Sequence, residues 1–310
     1  MTEPSVRATR EVLRAFGIRP SKRWGQHFLV SDRVLRTILE AASLSPQDVV
    51  VEVGAGIGTL TVALAQRAGC VVAIEVDRHL VPALRAATAP YPHVTVVEAD
   101  VLAVDLRGLL PEVRPGGERK AVANLPYNIG ASALVRLLDP RLGLSRVVVM
   151  VQKEVADRIV AAPGTPAYGR LSLAVQYRGT PRIVARVSRG AFLPQPDVES
   201  ALLVILPHPS PPVAVPDEDA LFRVIAAGFG HRRKVLTRAL CLGLGLSPAE
   251  ADRACRAAGL DPRARAETLS LDQFAALARA LHPRPERDPA SPSAREEVTG
   301  GPGISGAGRR

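Results

Sequence analysis

The chain has 310 residues, with 40 Lys+Arg against 30 Asp+Glu, so its formal net charge is +10. That length suggests about two domains of ~100–200 residues, and a composition 47% hydrophobic and 23% charged excludes a fibrous or wholly disordered chain. Aliphatic runs such as 147–151 fall far short of the ~20 residues a membrane span needs. Cys70, Cys241 and Cys255 form no CxxC, which argues against a disulfide framework or a cysteine zinc site.

The first residues have no apolar stretch, unlike a secretory leader, and Glu3 and Glu11 among the arginines argue against a transit peptide. With so few cysteines, the expected compartment is a reducing cytoplasm. The pattern over 31–42 predicts an amphipathic helix capped by Ser31 or Asp32. Residues 48–54 (DVVVEVG) are a short β-branched run ending in glycine, the mark of a strand buried on both faces. Similar runs follow at 71–76, 94–100, 121–124 and 146–151, with helical patterns at 59–68 and 80–87. This alternation predicts an α/β fold with a mostly parallel sheet. Residues 171–177, 182–187 and 201–206 read as strands at a β-rich end of the sheet. A proline-rich connector (208–219) leads to helical stretches at 219–228, 234–242, 248–258 and 272–281. The Pro, Gly, Ser and charged residues of 283–310 show no periodicity, so disorder is expected there.

The strongest local signal is VEVGAGIGTLT (51–61), a strand entering a glycine turn and then a helix. Gly54, Gly56 and Gly58 allow a tight turn and close approach of a ligand to the backbone, beside the free N–H groups of a helix start. Glu75 ends the second strand, where a carboxylate can accept from both ribose hydroxyls of a nucleoside cofactor. Asp100 ends the third, where it can accept from the exocyclic amine of adenine. These three features point to NAD or S-adenosylmethionine, and the spacing GAGIG, which is not GxGxxG, tilts the choice to the latter. Asn124, Leu125, Pro126 and Tyr127 (NLPY) then follow the fourth strand. An Asn carbonyl plus a backbone carbonyl can hold both N–H groups of a base amine. Proline removes a competing donor, and an aromatic ring can stack on the base.

With these residues the chain resembles the ribosomal RNA adenine N6-dimethyltransferase family over about 22–281. Further matching stretches are GQHFL (25–29), VQKEVADRI (151–159), YGRLSLAVQY (168–177), AFLPQPDVESA (191–201), FGHRRKVLTRAL (229–240) and GLDPRARAETLSLDQFAALARAL (259–281). YGRLS and the last stretch look like the small-subunit branch. The resemblance implies a Rossmann-like S-adenosylmethionine-dependent methyltransferase sheet with a small C-terminal all-helical domain. It divides the chain into an arm closing over the cofactor (1–30), a methyltransferase domain (31–207), a helical domain (208–282) and a tail (283–310). The implied reaction is N6,N6-dimethylation of two adjacent adenines near the 3′ end of 16S ribosomal RNA, on an immature small ribosomal subunit. The implied protein is a cytoplasmic monomer.

By the same resemblance, Gly54, Gly56, Glu75, Asp100 and Asn124 contact the cofactor, with His27 and Leu29 joining from the arm. His27 stands where the family usually has Asn, and Gln26 is a further candidate. Asn124, Leu125, Pro126 and Tyr127 hold the target base, and Phe192 clamps it from the other side, on a loop that Pro194 and Pro196 suggest is exposed. Tyr168 reads as structural. The competing readings are a 23S adenine methyltransferase conferring macrolide resistance, a non-catalytic ribosome-assembly factor and a NAD-dependent oxidoreductase. Segments 1–48 and 136–190 carry +3 and +7, while 49–135 is at −1. The candidate RNA contacts are therefore Arg19, Lys22, Arg23 and Trp24, then Arg170, Arg178, Arg182, Arg186 and Arg189. Arg232, Arg233 and Lys234, read as opening a helix, complete the set.

Overall fold

A computed structural model describes residues 5–21 and 25–282. Lys22, Arg23, Trp24 and the tail 283–310 lie outside the described residues. The chain begins with α1 (Val6–Ala15), capped by Ser5, and a short strand β1 (Phe28–Leu29). There follow α2 (Asp32–Ala42), β2 (Val49–Val53), α3 (Thr59–Ala65), β3 (Cys70–Glu75), α4 (Val81–Thr88) and β4 (Val94–Glu98). Next come α5 (Leu106–Leu109), β5 (Arg119–Asn124), α6 (Gly130–Leu137), β6 (Leu144–Gln152), α7 (Lys153–Ile159) and α8 (Arg170–Arg178). Then β7 (Gly179–Val187), β8 (Phe192–Leu193) and β9 (Ser200–Pro207) precede α9 (Glu218–Gly230), α10 (Leu236–Leu244), α11 (Pro248–Ala257) and α12 (Leu271–Leu281).

Seven strands form one sheet in the order β4-β3-β2-β5-β6-β9-β7. Pairings from β4 to β6 are parallel, and β9 runs antiparallel to both its neighbours. The strand order reverses between β2 and β5, which opens a crevice beyond their carboxyl ends. Alternation within the strands explains why they bury both faces. Val49, Val51 and Val53 join one core with Leu134 and Leu137 of α6, and Val50 joins the other with Ile38 of α2 and Leu64 of α3.

The amino ends of β2 and β5 are pinned by Lys120, which pairs with buried Asp48 and, at 3.3 Å, with Glu118. Asp48 accepts from Lys120 Nζ at 2.8 Å and from the N–H groups of Ser45 and Glu118, and Lys120 also donates to the Ser43 carbonyl at 2.6 Å. Burial opposes charge on Asp48, but these hydrogen bonds outweigh it and hold the carboxyl below its usual value.

Residues 171–177 are helical, which corrects the expected strand. Their alternating apolar residues serve two cores at once: Val175 packs on the sheet, and Leu173 and Tyr177 pack among the C-terminal helices. A helix buried on opposite sides carries apolar residues outside a single 3.6-residue stripe, so its pattern mimics a strand. Ser172 Oγ fastens the first turn, accepting from Gly169 N–H and donating to the Arg158 carbonyl.

α9 to α12 pack round Leu221, Leu236, Leu240 and Phe274, a core that also takes in Tyr168. Tyr168 donates its hydroxyl to the Leu269 carbonyl at 2.9 Å. Capping boxes at Ser247/Glu250 and Ser270/Gln273 set the starts of α11 and α12. Arg232, Arg233 and Lys234 occupy the turn before α10 and do not open it, since the helix starts at Leu236. Arg232 is held there by Glu267 at 2.7 Å and by the Pro166 carbonyl. Among the described residues no helix is long and apolar enough to cross a membrane.

Candidate active site

One pocket opens at the carboxyl ends of the parallel strands and is lined from the arm, β2, β3, β5 and their following turns. His27, Leu29, Gly54, Gly56, Glu75, Asp100, Asn124, Leu125, Pro126 and Tyr127 all border it, together with Gln26. Phe192 does not.

The glycine turn is set by backbone geometry. Gly54, Gly56 and Gly58 have φ of +73°, +61° and +90°, a region that side chains rarely enter. A Cβ on Gly54 would stand 2.9 Å from Pro126 Cδ, so the turn after β2 and the NLPY turn after β5 fit closely because that residue is glycine. The arm comes just as near, since a Cβ on Gly25 would stand 3.1 Å from the Tyr127 nitrogen.

Glu75 organises this turn. Its Oε2 accepts from Gly56 N–H at 2.8 Å, and Oε1 accepts from Val76 and Asp77 N–H at 3.0 and 2.9 Å. Three of its roughly four acceptor positions are thus taken, leaving about one for a ligand where the sequence suggested two ribose contacts. Burial raises the Glu75 pKa, the backbone N–H groups lower it, and the Asp77 charge raises it; the net shift is upward. Asp100 is exposed, with Oδ1 accepting from Leu102 N–H at 2.8 Å.

Asn124 is held by one end. Its Nδ2 donates to the His27 carbonyl at 3.1 Å, while Oδ1 is buried without a hydrogen-bond partner among the described residues. A buried carbonyl oxygen left so is costly, and a ligand N–H would satisfy it. Leu125 N–H donates to Met150 O, and Ile129 N–H donates to the Pro126 carbonyl, which fixes the turn. The Tyr127 hydroxyl is hydrogen-bonded to Ser200 Oγ, and Ser200 is fully buried on β9.

The arm is tied down on the far side. β1 pairs antiparallel with β8, placing Phe28 opposite Leu193 and Leu29 opposite Phe192. His27 Nδ1 lies 2.8 Å from the Pro194 carbonyl, and its ring centroid is 5.0 Å from that of Tyr127. Gln26 donates to Asp77 at 2.7 Å and accepts from Ser21 N–H, so its amide is engaged within the protein. Phe192 is 2% exposed and packs in the core with Leu29 and Val187, contrary to the expected exposed clamp. Pairing with β1, remote in sequence, turns this proline-flanked segment inward.

Two residues of the site went unread in the sequence. Ser200 meets Tyr127 across 73 positions, and no local pattern announces it. Glu52 lines the pocket from inside β2 and is 1% exposed. An acid within an otherwise apolar strand was its visible signal.

The ribosomal RNA adenine dimethylase family model matches residues 18–282. Ribosomal RNA small subunit methyltransferase A of Geobacillus thermodenitrificans is 43% identical over 279 residues, which are 89% of this chain and 95% of that protein. The protein of the same name from Pelotomaculum thermopropionicum is 44% identical over 285 residues, 90% of this chain and 96% of its own. Among solved structures, a dimethyladenosine transferase from Plasmodium falciparum is similar with a TM-score of 0.65 at 24% identity, covering 81% of this chain and 96% of that one. The 23S rRNA methyltransferase ErmE is similar with a TM-score of 0.61 at 24% identity, covering 82% of this chain and 99% of that one. At that identity the two structures speak for the fold.

Proposed function

Because the chain belongs to the ribosomal RNA adenine dimethylase family, we infer that its pocket takes S-adenosylmethionine and that the protein dimethylates adenine N6 in 16S ribosomal RNA. The observation that carries the residue assignment is the buried, unpartnered Oδ1 of Asn124 at the mouth of β5. Bound S-adenosylmethionine supplies a methyl group whose S–C bond breaks with its electrons staying on sulfur, while N6 gains the methyl and sheds a proton to water.

Adenine N6 is a weak nucleophile because its lone pair is delocalised into the ring. Asn124 Oδ1 accepts one N6–H and the Leu125 backbone carbonyl accepts the other, which orients the lone pair out of the ring plane. Pro126 keeps a backbone donor out of this place, and the Tyr127 ring stacks on the extruded base, offsetting part of the few kcal/mol of unstacking. Catalysis then rests on positioning the amine against the methyl donor. Glu75 and the Gly54–Gly56 turn hold the ribose, Asp100 meets the adenine amine of the cofactor, and His27 and Leu29 cover it from the arm. Phe192 supports that cover from the core and is given no stacking role.

The 43–44% identity to small-subunit enzymes over nine-tenths of the chain favours 16S over 23S RNA, where the likeness is 24%. The same reading assigns 1–30 to the arm, 31–207 to the methyltransferase domain and 208–282 to the helical domain. It makes the protein a cytoplasmic monomer acting on immature small subunits. The test is incubation with S-adenosylmethionine and unmodified small or large ribosomal subunits, followed by primer extension. Arrest at two adjacent adenines near the 3′ end of 16S RNA is expected; arrest on 23S RNA alone overturns the assignment.

A further inference from the structure

α1 lies ahead of the stretch matched by the family model, 18–282, and its outer surface is built of arginine. Arg7, Arg10 and Arg14 are all exposed and fall within about 60° of one another round the helix. Arg7 is paired with Glu11, whereas Arg10, Arg14 and the exposed Arg19 make no salt bridge among the described residues. Phe16 caps the helix between Arg14 and Arg19 and is 42% exposed. It is the one exposed phenylalanine among six, the others being buried or half-buried.

This surface is held against the pocket. Leu13 and Ile18 pack with Phe28, Ile57 and Leu80, and those three also line the cofactor pocket. Leu80 caps α4, and the turn ahead of it carries Arg78, exposed and without a salt bridge among the described residues. The arginines of α1 and Arg78 therefore flank the pocket on the β3 side, at the other end of the sheet from the arginines of β7.

Resting on the RNA substrate assigned above, we propose that α1 and Phe16 form a second contact for that RNA. Phe16 stacks on an unpaired base, and Arg10, Arg14, Arg19 and Arg78 take the neighbouring phosphates. An aromatic ring amid guanidinium groups suits a single strand, because every base offers a π-face and every linkage a negative charge. A protein partner docking by apolar contact fits less well. Val6, the other large apolar residue exposed on α1, is about 15 Å from Phe16 along the helix, so the two form no continuous patch. An acidic protein face would pair the arginines and leave the ring in water. The contact holds the strand at the rim while Asn124 and Tyr127 receive the target base.

The test is binding of the full chain to unmodified small ribosomal subunits across a salt series. Phe16→Ala and Phe16→Leu should each weaken binding about fivefold or more, and Phe16→Tyr should preserve it. Binding by Phe16→Leu equal to wild type would mark a merely apolar contact and overturn the proposal. Joint Arg10→Ala and Arg14→Ala should flatten the dependence of log affinity on log salt by about one to two. Calorimetry should find S-adenosylmethionine affinity unchanged in each variant. A parallel loss of cofactor affinity would show that α1 acts through the pocket wall instead, and would overturn the RNA contact. With Phe16 replaced by photoreactive p-benzoylphenylalanine, irradiation on the subunit should attach the protein to ribosomal RNA. Attachment to ribosomal protein alone, or to nothing, overturns the proposal. A wild-type chain that neither binds nor methylates small subunits would overturn the substrate assignment itself.

Discussion

Tyr127 owes its place to Ser200. The hydroxyl bond to a fully buried serine on β9 fixes the ring beside His27 and against the pocket. Burial raises the Tyr127 pKa and the Ser200 bond partly offsets this, so the phenol stays neutral and serves as an anchor. Ser200→Ala leaves that hydroxyl buried without its partner, and we expect a loss of about 1–3 kcal/mol in stability. We also expect a fall in kcat with unchanged S-adenosylmethionine affinity, because a loosened ring no longer holds the base. Adding Ser200→Ala to Tyr127→Phe should cost little more than Tyr127→Phe alone, and Ser200→Thr should restore activity. Full additivity in this double-mutant cycle would show that Ser200 acts elsewhere.

Among the secondary elements, Asp48 is the point where α2, β2 and β5 are joined. Its folded pKa lies below the unfolded value near 3.9, so its contribution is full above that value and is lost as pH falls through the folded pKa. Asp48→Asn removes the buried counter-charge of Lys120, leaving it the exposed Glu118 carboxylate at 3.3 Å, and should cost up to about 3 kcal/mol at neutral pH. Denaturant titration should show this gap closing in acid; a gap constant with pH contradicts the ion-pair account. Four of the five parallel strands, β2, β3, β5 and β6, were legible because each is a short apolar run largely buried on both faces, and β4 at the sheet edge by its valines alone. α1 was not, although Val6, Thr9, Val12 and Leu13 share one face, because the segment is mostly polar and only Thr9 and Leu13 are buried. α8 misled for the opposite reason, with apolar residues facing two cores. The site residues were readable where chemistry is local, as in the glycine turn and NLPY. Phe192 and Ser200 were not, because pairing with β1 and contact with Tyr127 join segments far apart in the chain.

At the scale of the molecule, the charge excess divides into pairs and free cations. Arg178 and Arg186 are bound by Glu218 and Asp157, whereas Arg170, Arg182 and Arg189 are exposed and make no salt bridge among the described residues. Those three are the better candidates for phosphate contacts. Replacing them together by alanine should weaken RNA binding and flatten its dependence on log salt by about two to three. S-adenosylmethionine affinity should be unaffected; an unchanged salt slope would place the RNA elsewhere. The pocket itself stays nearly neutral or acidic, which suits a cationic cofactor beside a polyanionic partner. The central claim is that Asn124 Oδ1 receives the target amine, and mass spectrometry of 16S RNA from undermethylated small subunits tests it directly. With saturating S-adenosylmethionine, the wild-type protein should yield two adjacent N6,N6-dimethyladenines. A folded Asn124→Ala protein should be slower by at least about a hundredfold. Dimethylation by Asn124→Ala at the wild-type rate would contradict the account.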